Sequence, residues 1–298
     1  EAGKRLSNSI DAKFLYQAYN ANNTVDDGDI GGVSGDGITL TTGNILDVFG
    51  AINMKLDVNN VPDGQGERFL AHSPQFYNVL WKYIAGKESL LGDKSGENGN
   101  IGRYAGISLF KTNNLTGAAR WTPANNPTAA DTITINGITL TFQSTIGTTA
   151  GNILIKGTTA LTIANLVAFI NAGGVTTDSG VSNVSLSTAN QRTVQDWIAV
   201  DGTTYFEVRA MGASYMTVTG SDATDVWTAT QQLQNQLAGR KGMSIDAVIQ
   251  KEPSVEMAST VSAGKSGMNI LPMTLFGVYV FNQGKNEIVR VKIRSDAF

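Results

Sequence analysis

The sequence contains no cysteine and a single histidine, His72, among 298 residues. Without cysteine the chain can form no disulfide bond, no thiolate nucleophile and no cysteine-ligated zinc site. One histidine cannot supply a multi-histidine metal site, and acid–base catalysis by an imidazole would depend wholly on His72. The sequence therefore predicts a protein that is not an enzyme, with no catalytic, cofactor-binding or metal-binding residues and no cofactor.

Charge is also scarce. Charged residues make up 16% of the chain, against about 25% in an average soluble domain. The formal net charge of −3 gives no general attraction to nucleic acid or anionic lipid. No apolar run approaches the roughly 18 residues that a membrane helix needs, and no secretory hydrophobic segment opens the chain. Because the first residue is Glu1 rather than a methionine, we expect a processed chain or a fragment.

Glycine, by contrast, is abundant, with 33 residues, and 41% of the chain is hydrophobic. Acidic residues and glycines interrupt any periodic apolar pattern over 26–37. Residues 1–40 are therefore predicted to be an extended arm with one short helix at 11–19. Apolar spacing then predicts a helix at 45–56, a strand at 68–72 and a strand at 103–111. Ser73-Pro74 is typical of a helix N-terminus, which places a second helix after the first of these strands.

Residues 119–227 differ in composition from the rest of the chain. Between positions 121 and 228 there are three basic and seven acidic residues. Asn136-Gly137 between alternating apolar positions predicts a two-residue β-hairpin, and apolar spacing predicts a helix around 163–170. This segment is predicted to be a self-contained β-rich domain. After it we expect a glutamine-rich helix at 228–240, extended chain at 245–257, and a hairpin that pairs 276–281 with 287–293.

Four short motifs suggest chemistry, and each has a plainer interpretation. Gly264-Lys265-Ser266 resembles part of a phosphate loop, but Ser259 stands where that loop requires glycine. His72 could act as a base, although packing is the simpler role. The cluster Asp26, Asp27 and Asp29 resembles half a calcium loop or a solvated turn. The alternating Arg290, Lys292 and Arg294 could bind phosphate or a partner's carboxylates, or protect an edge strand by charge.

Three stretches carry a more specific pattern. The first, LTTGNILDVFGAINMKLDVNNVPDGQGERFLAHSPQFYNVLWKYIAG at 40–86, combines a long helix, a Val-Pro turn, an arginine, a short strand ending in Ser-Pro and a second helix. The second and third are GENGNIGRYAGISLFKTNNL at 96–115 and FGVYVFNQGKNEIVRVKI at 276–293. In this order and spacing they resemble the major capsid proteins of tailed bacteriophages with the Hong Kong 97-type fold. The resemblance covers 40–118 and 228–298.

The resemblance implies an α+β fold with an N-terminal arm at 1–40. Capsid peripheral and axial domains would occupy 41–118 and 228–298, and an inserted β-rich ββαβ-type surface domain 119–227. The spine helix and the terminal hairpin would belong to the peripheral domain, and 103–111 and 228–240 to the axial domain. The family also has a long β-hairpin loop ahead of the spine helix, and forty residues are few for both arm and loop.

The function implied by the resemblance is structural. The chain would self-assemble into hexamers and pentamers of an icosahedral phage head, enclosing DNA without sequence-specific binding and without contact to a membrane. Its partners would be further copies of itself, together with scaffold, portal and decoration proteins. Its location would be the virion, after assembly in the host bacterial cytoplasm.

Three other interpretations stay open at this point. A secreted or surface β-rich adhesin or flagellin-like binding module would explain the Thr, Asn, Gly and Ser richness without cysteine, and predicts a monomer or a filament. A nucleotide- or sugar-processing enzyme using Lys265 or the cluster at 26–29 predicts a saturable ligand. A non-viral shell of the same fold, enclosing enzymes, is close to the capsid interpretation.

Overall fold

The computed structural model describes residues 2–64, 66–87, 101–176, 182–202, 205–221, 231–242, 244–262 and 265–296. The helices within these ranges are α1 (Ala2–Tyr16), α2 (Ile45–Val58), α3 (Pro74–Ala85), α4 (Thr159–Asn171) and α5 (Thr188–Val194). The strands are β1 (Asn23–Val25), β2 (Arg68–His72), β3 (Arg103–Tyr104), β4 (Ile107–Lys111), β5 (Thr116–Trp121), β6 (Thr132–Ile135), β7 (Ile138–Gln143), β8 (Asn152–Leu154), β9 (Trp197–Asp201), β10 (Phe206–Ala210), β11 (Val218–Gly220), β12 (Gln231–Arg240), β13 (Asp246–Ser262), β14 (Lys265–Tyr279) and β15 (Ile288–Arg294).

This is a mixed α+β structure, and the chain divides into two compact units. Unit 1 comprises Glu1–Val25, Thr41–Leu115 and Gln236–Val291. Unit 2 comprises Asp26–Leu40, Thr116–Asn235 and Lys292–Phe298. Each unit is therefore built from three separate stretches of sequence.

The sheet of unit 1 is centred on β2. This strand pairs in parallel with β4 and antiparallel with the second half of β12. Strand β3 forms a tight hairpin with β4, and β15 pairs in parallel with β1 and also with β12. Successive side chains of a strand point to opposite faces. Ala71 accordingly packs in one core with Leu15 of α1, whereas Arg68 and His72 contact α2 and α3.

Helices α2 and α3 form where local signals predict them. Helix α2 buries a stripe of apolar residues at helical spacing: Ile45, Val48, Phe49, Ile52 and Leu56. Helix α3 begins at Pro74 because the Ser73 hydroxyl accepts a hydrogen bond from the Phe76 amide at 3.2 Å, which satisfies a backbone donor left free at a helix N-terminus. The rings of Phe49 and Phe76 meet edge to face at 5.8 Å and join the two helices.

Unit 2 contains two sheets around one core. The first half of β12 pairs with β5, β5 with β10 and β10 with β9, all antiparallel. The second sheet has the order β11–β6–β7–β8. Asn136 and Gly137 connect β6 to β7 with φ of 48° and 80°, the left-handed backbone that a type I′ turn requires, so the predicted hairpin is confirmed. The core is formed by both sheets and α4, and its largest fully buried side chains are Trp121, Phe142, Phe169 and Phe206.

The predicted helix at 228–240 is wrong over its described part, which is strand β12. Its glutamines are good helix formers in isolation. Residues 233–239, however, are all buried, and β12 has pairing partners along both edges. The central place in a sheet, set by residues far away in sequence, overrides the local propensity.

The predicted closing hairpin is also wrong. Residues 276–279 of β14 pair with 246–249 of β13, whereas β15 pairs with β1 and β12. The residues between β14 and β15 contain a short 3-10 turn, Gly284–Asn286, instead of a hairpin turn. The parallel partner β1 joins β15 from the other end of the chain, with Thr24 opposite Arg290.

The N-terminal stretch differs from the extended chain predicted for 1–40. Helix α1 covers Ala2–Tyr16 and a 3-10 turn follows at Gln17–Asn20, so the short helix expected at 11–19 starts earlier. Leu15 and Ala18 are buried in the core of unit 1. An arm function for 1–40 stays a prediction.

Candidate functional site

His72 is fully buried and serves as a packing residue. Its ring stacks on Tyr77 at 5.6 Å and lies 5.5 Å from the Phe76 ring, while Nδ1 is 2.9 Å from the Ser73 carbonyl oxygen. Burial lowers the pKa of His72 to about 4; the bond to Ser73 opposes this shift and the charge of Lys111 adds to it. The imidazole is therefore neutral at physiological pH, with Nδ1 as a donor to the backbone, and is shielded from any solvent-borne substrate.

The aspartates at 26–29 form a turn. Asp26 accepts hydrogen bonds from the Gly28 amide at 3.1 Å and the Gly35 amide at 2.9 Å, and Asp27 accepts one from the Val33 amide at 2.9 Å. These carboxylate oxygens hold a glycine-rich loop in place. Over the described residues, no group of three or more His, Cys, Asp or Glu side chains could hold a metal ion.

The basic side chains of β15 are engaged within the chain. In unit 1, the Arg290 guanidinium lies 4.7 Å from the centre of the Tyr19 ring. In unit 2, Lys292 donates to the Gly35 carbonyl oxygen at 3.1 Å, and Arg294 donates twice to Asp296 at 3.0 and 2.7 Å. Burial alone would raise the pKa of Asp296, but the hydrogen bond and charge of Arg294 outweigh it and lower that pKa.

The phosphate-loop motif falls largely outside the described residues. Gly264 is not among them, and of the remaining residues only the backbone is described, as the start of strand β14. No nucleotide-binding role is therefore derived for Lys265.

Strands β13 and β14 form the most extended feature of unit 1. They are antiparallel partners from Asp246 opposite Tyr279 to Ser262 opposite Lys265, with two register shifts. In the described residues no third strand pairs with either of them. With 17 residues in β13, the ribbon is about 55 Å long at 3.3 Å per residue. Both outer edges of this hairpin therefore present backbone donors and acceptors along its length.

One face of the hairpin base is covered and the other is not. On the covered side, the Lys13 ammonium of α1 lies 5.2 Å from the centre of the Phe276 ring. On the other side Val248, Leu275, Tyr279 and Phe281 are each more than half exposed. The rings of Tyr279 and Phe281 contact each other edge to face at 5.1 Å. We call these four residues the apolar patch.

A cavity of about 470 Å³ lies elsewhere on unit 1, between α1 and the sheet. It is lined mainly by apolar side chains of α1, β2 and β4, with charged groups at its margin: Asp11, Phe14, Leu15, Phe69, Ala71, Phe110, Thr112, Lys241 and Gly242. Phe110 is half exposed, and the Lys241 ammonium lies 5.2 Å from its ring centre while donating to the Ser108 hydroxyl at 3.0 Å. The cavity offers contact area but no arrangement of nucleophile, base and oxyanion donors.

His72, the aspartates at 26–29 and the basic side chains of β15 are all engaged in internal contacts. The uncovered features are extended backbone edges and apolar side chains, which recognise other macromolecular surfaces. The extended chain predicted at 245–257 lies within β13, but neither its pairing with β14 nor the apolar patch is predicted from the sequence. No helix in the described part of the chain is long and apolar enough to cross a membrane.

Comparisons with known proteins find solved structures of low similarity, two of which are described here. No protein-family model matches the sequence, and no curated protein matches it. A structure titled "Mycobacterium phage Che8" aligns with a TM-score of 0.42 and 10% identity over 97% of this chain and 59% of the other. A "Capsid structure of the Cyanophage P-SCSP1u" aligns with a TM-score of 0.38 and 14% identity over 97% of this chain and 62% of the other. The chain thus spans about three fifths of either neighbour, and both scores are too low to establish a shared fold.

Proposed function

We propose that this chain is the major capsid protein of a tailed bacteriophage. In this role it assembles with copies of itself into hexamers and pentamers of an icosahedral head that encloses DNA. The observation that carries the proposal is the β13–β14 hairpin: a long two-stranded ribbon with two unpaired edges among the described residues.

The energetics of such a hairpin favour assembly. An isolated two-stranded hairpin is at best marginally stable in water, and independent stability needs a third strand or a packed face. Helix α1 contacts the base of this ribbon, as Lys13 does over Phe276, but the pairing continues to Ser262 opposite Lys265. A neighbouring subunit would supply the missing third strand or packed face to the rest of the ribbon, by edge pairing or by covering a face.

The resemblance in the sequence agrees with this role. The first two of the three stretches that carry it contain helix α2, strand β2, helix α3 and the β3–β4 hairpin, in the order expected for the spine helix and the elements that follow it. The third stretch, 276–293, does not form the hairpin that the resemblance implies. The hairpin after β12 occupies a different place in the chain from the family's loop, which precedes the spine helix. We include the Hong Kong 97-type fold in what we propose for this chain.

The further assignments of the proposal concern domains and partners. Residues 1–40 would act as the arm, 41–118 and 228–298 as the peripheral and axial domains, and 119–227 as the inserted surface domain. Nearly all of the core of unit 2 lies within this last segment, from Ala119 to Val218, which suits an insertion that carries its own core. Scaffold, portal and decoration proteins are the expected partners, and the virion is the expected location.

The proposal is tested by expressing the full chain, with any scaffold supplied, and measuring its mass by size-exclusion chromatography with light scattering. Negative-stain microscopy then distinguishes rings and shells from filaments. We expect closed particles. Persistent monomers would overturn the proposal, and filaments would favour the adhesin or flagellin-like alternative instead.

A shortened hairpin makes the test specific. Replacing 252–274 by Asn-Gly joins Lys251 to Leu275, which are register partners, through the turn that two-residue hairpins favour. We expect this variant to keep its circular dichroism spectrum and to stay monomeric. The matched control replaces 202–205 by Asn-Gly, which joins the register partners Asp201 and Phe206 of the β9–β10 hairpin in unit 2, and should assemble. Shell formation by the shortened variant would contradict the role given to the hairpin.

A further inference from the structure

Strand β9 lies at the end of a sheet in unit 2. Among the described residues it pairs with β10 on one edge, and no strand pairs with its other edge. In an antiparallel pair the N–H and C=O of one residue point to the same side, and successive residues alternate. The Asp196 carbonyl oxygen accepts a hydrogen bond from the Met211 amide, so the even-numbered residues face β10. The outer edge therefore carries the backbone groups of Trp197, Ala199 and Asp201, with Ala199 in the middle.

The side chain of Asn171 occupies the middle of this outer edge. Its Nδ2 donates to the Ala199 carbonyl oxygen at 2.9 Å, and its Oδ1 accepts from the Ala199 amide at 2.8 Å. A side-chain amide has the same donor and acceptor as a peptide group. Asn171 therefore makes the two bonds that a residue of an added strand would make with Ala199. Asn171 is the last residue of α4 and is exposed, whereas Ala199 is buried.

Helix α4 also takes part in closing the second sheet of unit 2. The segment 182–184 lies along the outer edge of β8, where the Leu154 amide donates to the Ser182 carbonyl oxygen at 2.8 Å. Asn165 of α4 donates to the Leu154 carbonyl oxygen at 3.0 Å and accepts from Nδ2 of Asn183 at 3.0 Å, which holds this segment in place. The opposite outer strand of that sheet, β11, has three residues, and a very short edge strand offers little backbone for pairing.

We infer that the Asn171 amide closes the outer edge of β9 against pairing with an edge strand of a second copy of this chain. An uncovered edge strand is a template on which another strand can add. A strand that added to β9 would have to break both bonds between Asn171 and Ala199 before it formed its own central pair. The hydrogen bonds gained and lost at that position cancel, which removes the advantage of pairing there.

The two units differ in the state of their strand edges. In unit 2 the outer edges of β8 and β9 are occupied by segment 182–184 and by Asn171, whereas in the described residues no third strand pairs with the β13–β14 hairpin of unit 1. Pairing between copies is thereby directed to the hairpin. The inference goes beyond the proposed function and holds for the free chain. In a shell it would matter more, because neighbouring copies of unit 2 are held at a high effective concentration.

Two variants of Asn171 separate edge protection from stability. Asn171→Ala removes both hydrogen bonds and uncovers the backbone of Ala199. Asn171→Asp loses the donor to the Ala199 carbonyl oxygen but leaves a charge at the edge, and an edge charge opposes strand pairing. Each should lower the melting temperature of the full chain by about 3–6 °C. The matched control, Asn136→Ala, weakens the β6–β7 turn of the same unit without a change at β9 and should lower the melting temperature about as much.

The measurement is the mass of each full-length variant by size-exclusion chromatography with light scattering, compared with the wild type at the same series of protein concentrations. Asn171→Ala should form dimers or larger species in excess of the wild type, and the excess should grow with concentration. Asn171→Asp and Asn136→Ala should match the wild type. If Asn171→Ala keeps the wild-type mass, or if the other two variants associate as strongly as it does, the inference is overturned. Neither result bears on the capsid proposal, because each variant is compared with the wild type whether or not the wild type assembles.

Discussion

Acidification should destabilise unit 1 through His72, and the size of the effect follows from its burial. The pKa of this imidazole is about 4 in the folded chain, lowered from 6.5 chiefly by burial. Between these values the unfolded chain binds a proton that the folded chain does not. Stability therefore falls as the pH falls through 6.5 and the loss is complete below 4. A difference of 2.5 pH units corresponds to about 3 kcal/mol in total and about 2 kcal/mol at pH 5.

The variant His72→Phe isolates this contribution from that of the carboxylates. Phenylalanine preserves the ring between Phe76 and Tyr77 and removes the titrating group. It loses the bond to the Ser73 carbonyl oxygen, which still accepts one from the Tyr77 amide at 3.2 Å. It also removes Nε2, a buried atom without a hydrogen-bond partner in the described structure. At pH 7.5 these effects offset each other to within about 1 kcal/mol.

The measurement is urea unfolding of the unassembled wild-type and variant chains at pH 7.5, 6, 5 and 4.5. The free energy of unfolding of the variant, relative to that of the wild type, should rise by about 2 kcal/mol between pH 7.5 and pH 5. Because His72 is the single histidine, its ring signals in an NMR titration are assigned without further variants. Parallel stability curves for the two chains, or a measured pKa near 6.5, would refute the reasoning.

Three further predictions concern the stability and folding of the two units. Arg68 is buried and donates to Asp57 and to nearby backbone carbonyls; Arg68→Met should lower the free energy of unfolding in urea by about 2–4 kcal/mol. Asn136 has φ of 48° and exchanges two hydrogen bonds with Thr217; Asn136→Ala should cost about 1–2 kcal/mol, and an unchanged melting temperature would contradict this. Deleting 121–226 removes nearly the whole core of unit 2, leaving Ala119; we expect a soluble, folded remainder by circular dichroism, and insoluble aggregates would argue against an insertion.

The elements that the sequence predicts well are those fixed by neighbouring residues. Helix α3 starts where Ser73 and Pro74 predict it, strand β2 has the predicted bounds, and the β6–β7 turn falls on Asn136-Gly137. In each case the decisive interaction, a cap or a turn backbone, lies within a few residues. Such signals are present in any window of the sequence that contains them.

The incorrect predictions concern elements whose structure depends on residues distant in the sequence. Strand β12 has the residue types of a helix, and its strand character depends on β2 and β5, which precede it by more than one hundred residues. Strand β15 takes a parallel partner from the other end of the chain, with Thr24 opposite Arg290. Neither pairing can be recognised from the local sequence, because strands pair through backbone hydrogen bonds and every residue has a backbone.

The exposed apolar side chains of α2 and of the apolar patch are equally hard to predict from the sequence. The scarcity of cysteine and histidine predicts little chemistry, but it does not say which apolar residues stay uncovered. Met54 and Val58 have the same character as the buried residues of α2, and only the packing of the helix separates them. Tyr279 and Phe281 likewise lie on the face of the hairpin base opposite to the one that α1 contacts, and they stay exposed.

Under the proposed function, small exposed surfaces contribute more in a closed assembly than in a one-to-one complex. Three exposed apolar side chains of α2 (Leu46, Met54 and Val58) and the four of the apolar patch make seven on unit 1. Burying a whole apolar side chain contributes about 1.5–3 kcal/mol, so the exposed half of each contributes about 1 kcal/mol. The sum, about 7 kcal/mol, lies within the roughly 4–15 kcal/mol that association costs in lost translational and rotational freedom. A single pairing through these surfaces would be weak. In a closed shell each copy loses that freedom once and is held on several sides, so the same surfaces become sufficient.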